Sequence, residues 1–83
     1  MFFIYVLRSL KDGRLYTGSC ENLERRLQQH YDGFCISTKH RRPLKFLYSE
    51  EFVTVSEARQ RELFFKTGKG RDILKEILLS IDN

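Results

Sequence analysis

Tyr5 and Tyr16 each sit in a short apolar run, Phe2-Phe3-Ile4-Tyr5-Val6-Leu7 and Leu15-Tyr16-Thr17-Gly18, and Arg26 and His30 follow one helical turn apart. Much later, Glu62 falls at a position of a helical stripe where an apolar residue is expected, in line with Val55, Ala58 and Phe65. Two phenols, a guanidinium, an imidazole and one carboxylate are a set that could cleave a phosphodiester at a single metal ion. The carboxylate would offer a hard oxygen ligand, with water and phosphate filling the remaining positions. The arginine would pair with the phosphate and stabilise its growing charge. A phenol could act as general base if a nearby cation assists it, while the other phenol and the imidazole could orient water or relay a proton. One carboxylate argues against a pair of metal ions.

Each residue also has a plain structural reading. Strand tyrosines usually fill cores. Arg26 could snorkel beside an apolar stripe, and His30 could be a hydrogen-bonded core histidine. Glu62 could be paired with Arg26 or Lys66, because a buried carboxylate without a partner is costly.

The elements that must position these groups follow from pattern. Residues 2 to 8 are β-branched and aromatic and apolar on both faces, which predicts a central strand covered on both sides. Lys11-Asp12-Gly13-Arg14 predicts a hairpin turn, and Leu15 to Ser19 its partner strand. Gly18 would let a ligand or another chain approach the backbone. Asn22 predicts an N-cap for a helix reaching Tyr31, with Leu23, Leu27 and Tyr31 as its apolar stripe and Arg26 and His30 on its edge. Gly33 ends that helix, and residues 33 to 43 read as a loop stopped by Arg42-Pro43.

Leu44 to Phe52 reads as a third strand, with Leu44, Phe46 and Tyr48 on one side and Lys45, Leu47 and Ser49 on the other. Thr54 to Glu57 forms a capping box for a helix to about Thr67, ended by Gly68. A last helix from about Arg71 turns Ile73, Leu74, Ile77, Leu78 and Ile81 to the core. The fold class expected is α/β in the α+β sense. It has one three-stranded antiparallel sheet flanked by helices, in the order β-β-α-β-α-α.

The pattern resembles the GIY-YIG endonuclease family across nearly the whole chain, and its small bacterial branch in particular. Phe3-Ile4-Tyr5 and Tyr16-Thr17-Gly18 stand where the family has its two triplets, with Phe3 replacing a glycine and Thr17 an isoleucine. Arg26 falls ten residues after Tyr16, at the family's arginine, and His30 follows one turn later. Ala58 and Glu62 match the small residue and the metal-binding glutamate four residues on. The runs Asn22 to Leu27, Arg42 to Leu44 and Tyr48 to Glu50 match as well. The resemblance implies hydrolysis of DNA phosphodiesters with one Mg²⁺ or Mn²⁺, low sequence specificity, and a role in DNA repair or recombination. It implies Tyr5, Tyr16, Arg26, His30 and Glu62 as the catalytic set, with Glu62 on the metal. The five are expected to converge on one concave face, and the ring of Phe3 bears on substrate access beside Tyr5.

Composition bounds the rest. Eighty-three residues, with 41% hydrophobic and 31% charged, predict one small globular domain over 1–83. The N-terminal apolar run is too short to span a membrane and lacks the flanks of a signal peptide, so a cytoplasmic protein with no membrane partner is expected. Cys20 and Cys35 are expected reduced and structural. The net charge of +4 favours a polyanionic partner. Arg25 and the cluster Lys39, Arg41, Arg42 and Lys45 are the residues expected to touch phosphates without reading bases. Gly68-Lys69-Gly70-Arg71 lacks the spacing of a phosphate-binding loop and reads as a helix end and turn. Two other classes fit parts of the pattern: a nucleic-acid-binding module that no longer cuts, and a protein-interaction domain whose inward polar groups are structural.

Overall fold

A computed structural model describes residues 1–82. Strands β1 (Phe2–Ser9), β2 (Leu15–Cys20) and β3 (Leu44–Phe52) form one antiparallel sheet in the order β2-β1-β3. Helix α1 (Leu23–Tyr31) follows β2; α2 (Val55–Phe65) and α3 (Gly68–Asp82) follow β3. This is the α+β architecture expected, with β1 in the centre as its apolar faces require.

The turns and caps obey local chemistry. Gly13 adopts φ +76° in the β1–β2 turn, a region glycine enters without strain. The buried Ser9 hydroxyl organises that turn, accepting from the backbone N–H of Lys11 and Asp12 at 3.2 Å each and donating to the Arg41 carbonyl at 2.6 Å. Asn22 caps α1 by accepting from Arg25 N–H at 3.0 Å, and Thr54 caps α2 by accepting from Glu57 N–H at 3.2 Å.

The pleat sorts β1 into two layers. Ile4 and Val6 pack with Ala58, Phe65, Leu74 and Leu78, so α2 and α3 cover that face. Tyr5 and Leu7 pack with Leu44, Leu23 and Leu27, so α1 covers the other.

Several expectations are corrected. Tyr31 is exposed, and His30 is the buried residue of α1; positions 23, 27 and 30 share a face, whereas 31 has rotated past it. On β3 the register slips between Val6 and Leu7, whose partners are Tyr48 and Phe46. Leu47 is the extra residue, and it and Tyr48 both pack toward α2 and α3 while Leu44 packs toward α1. Simple alternation along β3 therefore fails at that bulge.

Helix α3 starts at Gly68 rather than near Arg71, because Thr67 Oγ1 accepts from Gly70 N–H at 3.0 Å and caps it. Gly70 has no room for a Cβ, which would collide with the Phe64 carbonyl. Gly70 thus permits the tight α2–α3 corner. Val55 and Ile81, expected to face the core, are exposed at the helix ends.

Candidate active site

β1, β2 and α1 bring four of the five expected groups together. Tyr5 (2% exposed) and His30 (1%) are linked by a 2.8 Å hydrogen bond between Tyr5 Oη and His30 Nε2. The Tyr16 ring lies 5.2 Å from the His30 ring and 6.3 Å from the Tyr5 ring, centroid to centroid. Pleat parity places Tyr5, Tyr16 and Gly18 on the same face, and Tyr5 pairs directly with Gly18 across the ladder.

Gly18 is the residue that lets this cluster close. A Cβ there would stand 2.5 Å from Tyr5 Oη and 3.1 Å from the Tyr16 ring. Gly18→Ala is therefore expected to displace Tyr5, break its bond to His30 and cost about 1–3 kcal/mol through overpacking. At roughly 4–8 °C per kcal/mol for a domain of this size, a thermal melt resolves the loss. An unshifted midpoint would show that the strand yields at no cost.

His30 is held from its other side. Its Nδ1 lies 2.7 Å from Thr38 Oγ1, and Thr38 is fully buried in the segment between α1 and β3. Sequence reasoning missed Thr38, because a threonine in a polar loop carries no signal of burial. Burial above all, with the nearby Tyr16, pushes the Tyr5 phenol far above its ordinary range against the opposing pull of Arg26. Burial, with help from Arg26, lowers the His30 pKa. The phenol thus keeps its proton and the imidazole is neutral near pH 7. Tyr5 donating to Nε2 while Nδ1–H donates to Thr38 Oγ1 gives both ring nitrogens a partner.

A pH dependence follows with definite sign. The folded-state pKa of His30 lies below its unfolded value of about 6.5. The unfolded chain therefore takes up the proton first. Stability from the neutral imidazole is complete above about pH 6.5 and is lost as pH falls through the folded-state pKa. Melting temperatures measured from about pH 7.5 down to 5.5 should decline in the wild type and stay flatter in His30→Gln. Parallel curves would remove His30 as the cause.

Arg26 reaches the Cys35 thiol at 4.0 Å through Nη1 and makes no ion pair among the described residues. The thiol contact, first of all, raises its pKa, and its charge acts on both Tyr5 and His30. A thiol is a weak acceptor, so most of the guanidinium's donors are open to an anion. Beside Arg26 lies a cleft of about 940 Å³, also lined by Arg25, Phe3, Cys20 and Glu24. Phe3 thus fills space next to the arginine where the family has a glycine. Cys20 and Cys35 are free thiols.

Glu62 does not share that face, which corrects the expectation of five groups on one concave surface. Its helix packs against Ile4 and Val6 through Ala58 and Phe65, on the side of the sheet away from α1. The carboxylate stands by the Ser19 hydroxyl, and Ser19, three residues from Tyr16, points to the opposite face of β2. Lys66 donates to Glu62 Oε2 at 2.7 Å. Burial tends to raise the Glu62 pKa, but Lys66, Ser19 and Arg59 outweigh it and hold the carboxyl below its ordinary value. The Glu62 side chain is 20% exposed, so it is neither deeply buried nor without a partner. β2 is an edge strand, and no further strand separates Tyr16 from Glu62 around its open side. Among the described residues no group of three or more His, Cys, Asp or Glu could hold a metal.

The basic loop is more structural than expected. Arg41 pairs with Asp12 at 3.4 Å, and Arg42 donates to the carbonyls of Lys39 at 3.2 Å and Tyr31 at 3.4 Å. Lys39 and Lys45 are exposed and make no ion pair among the described residues.

The sheet order, the paired tyrosines on adjacent strands and the arginine and histidine of α1 define the class. The chain belongs to the GIY-YIG family: the model of the GIY-YIG catalytic domain matches residues 1–74. At the family level this is an endonuclease domain, which implies DNA as substrate. Among its relatives are proteins designated UPF0213. That of Staphylococcus saprophyticus is 42% identical over 76 residues, covering 90% of this chain and 92% of the relative. That of Bacillus licheniformis is 46% identical over 65 residues, covering 77% of this chain and 66% of the relative. The solution NMR structure of the UPF0213 protein from Bacillus halodurans shares the fold at a TM-score of 0.57 and 27% identity, over 93% of this chain and 85% of that one.

Proposed function

We propose that the protein is a metal-dependent endonuclease that hydrolyses DNA phosphodiesters with low sequence specificity, acting in the cytoplasm in repair or recombination. The observation that carries this reading is Arg26. It is a guanidinium without a carboxylate partner among the described residues, set beside the dry Tyr5–His30–Thr38 chain of hydrogen bonds and the Tyr16 ring. Such a charge is poised for a phosphate rather than for the fold.

Glu62 fits a single Mg²⁺ or Mn²⁺ in its chemistry: an ionised, partly exposed carboxylate whose other ligands would be water and phosphate. The ion would supply positive charge against the transition state. Lys66 holds the same carboxylate and has to share or release it. Because Glu62 and Tyr16 flank the edge of β2 from opposite faces, the reacting phosphate would lie across that edge. Arg26 would pair with the phosphate, Tyr16 would take the proton of the attacking water, and neutral His30, accepting the Tyr5 O–H, would hold Tyr5 in place.

The Lys66–Glu62 pair favours a second reading, in which the domain binds nucleic acid without cutting it. Purified protein incubated with labelled linear and branched DNA, with Mg²⁺ or with chelator, separates the two. Cleavage only with Mg²⁺ supports the nuclease. Salt-dependent binding with no turnover supports the binding module.

A further inference from the structure

We propose that a second cleft, along the open edge of β2, seats a single polynucleotide strand, with Arg14, Arg71 and Lys75 carrying its phosphates. The inference rests on the nuclease reading and supplies it with a substrate path. The cleft has a volume of about 720 Å³ and lies between the β1–β2 turn and the first turns of α3. Leu15 and Tyr16, each partly exposed, give it an apolar floor above the buried Phe65 and Leu74. Arg14, Lys66, Arg71 and Lys75 line it, and no carboxylate does. Lys66 is occupied by Glu62, whereas Arg14, Arg71 and Lys75 make no ion pair among the described residues.

Cations gathered without counter-charge around an apolar floor are suited to one strand. Phosphates meet the charges, while sugars and base faces cover the floor. A duplex would present its phosphates on a broad convex surface and leave that floor uncovered. Arg71 and Lys75 stand one turn apart on α3, with Cβ atoms about 5–6 Å apart, and so form one row. Tyr16 lines the same cleft, and Lys66 links it to Glu62. A strand leaving this cleft therefore passes the two groups that approach the β2 edge from opposite faces. The loop at residues 39–45 is a poorer track, since Arg41 and Arg42 are engaged in holding it.

The test is fluorescence anisotropy of a labelled oligo-dT in chelator, so that binding is read without cleavage. Arg71→Ala/Lys75→Ala should weaken binding about tenfold or more at low salt and flatten the slope of log K against log salt by about 1.4, two contacts at roughly 0.7 each. Both side chains are exposed, so the melting temperature checks that the fold persists. Lys75→Ala alone should give about half the change in slope, which covers failure of the double variant to fold. Unlabelled single strand should compete better than duplex of equal length.

An unchanged slope, absence of oligo-dT binding by the wild type, or better competition by duplex each overturns the inference. None of these bears on whether the wild type cuts DNA only with Mg²⁺, so the nuclease reading stands or falls separately.

Discussion

Glu62→Gln is expected to abolish Mg²⁺-dependent cleavage while the protein stays folded and keeps its affinity for DNA. The substitution preserves shape and removes the negative charge, which is what a divalent ion requires of its ligand. Its effect on stability should be small. The Lys66–Glu62 pair spans one helical turn with side chains 50% and 20% exposed, and such pairs contribute only about 0.3–0.5 kcal/mol. A deeply buried pair would behave differently, costing roughly 3–5 kcal/mol when one partner is removed. Melting curves in chelator together with cleavage assays distinguish the cases. A midpoint close to that of the wild type with no cleavage makes Glu62 a functional ligand. Strong destabilisation with cleavage retained would make it a structural partner and sink the metal assignment.

Tyr16→Phe should reduce turnover by about 10²–10⁴-fold, the usual contribution of a positioned proton acceptor, with DNA affinity nearly unchanged. Only the hydroxyl is lost, and the ring still packs against His30 and Tyr5. Arg26→Ala should differ by lowering both turnover and affinity, since the guanidinium serves phosphate in the ground state as well as later. Single-turnover cleavage and anisotropy on the same preparations separate the two variants. Wild-type cleavage by Tyr16→Phe would reassign water activation to the metal or to His30.

The sequence by itself determined the elements and most of the face that carries Tyr5, Tyr16, Arg26 and His30. Those signals are local. Asp12-Gly13 demands a turn, Asn22 and Thr54 cap helices, and a run apolar on both faces must be a central strand. Tyr5 and Tyr16 share a face because each lies on a strand with a two-residue period, and Arg26 and His30 meet them because α1 follows β2 at once.

Tertiary structure decided what local period cannot show. A helical stripe tells which residues of α2 point inward, but not which layer of the sheet α2 covers. The choice of layer put Glu62 across β2 from Tyr16. Which of His30 and Tyr31, about 100° apart around α1, turns inward was settled by the buried partners waiting for an imidazole, Tyr5 on one side and Thr38 on the other. Thr38 itself lies eight residues beyond His30, in a segment with no periodicity. Its burial follows from long-range packing, because only the folded arrangement of α1, β1 and β3 leaves a dry site that one hydroxyl can fill.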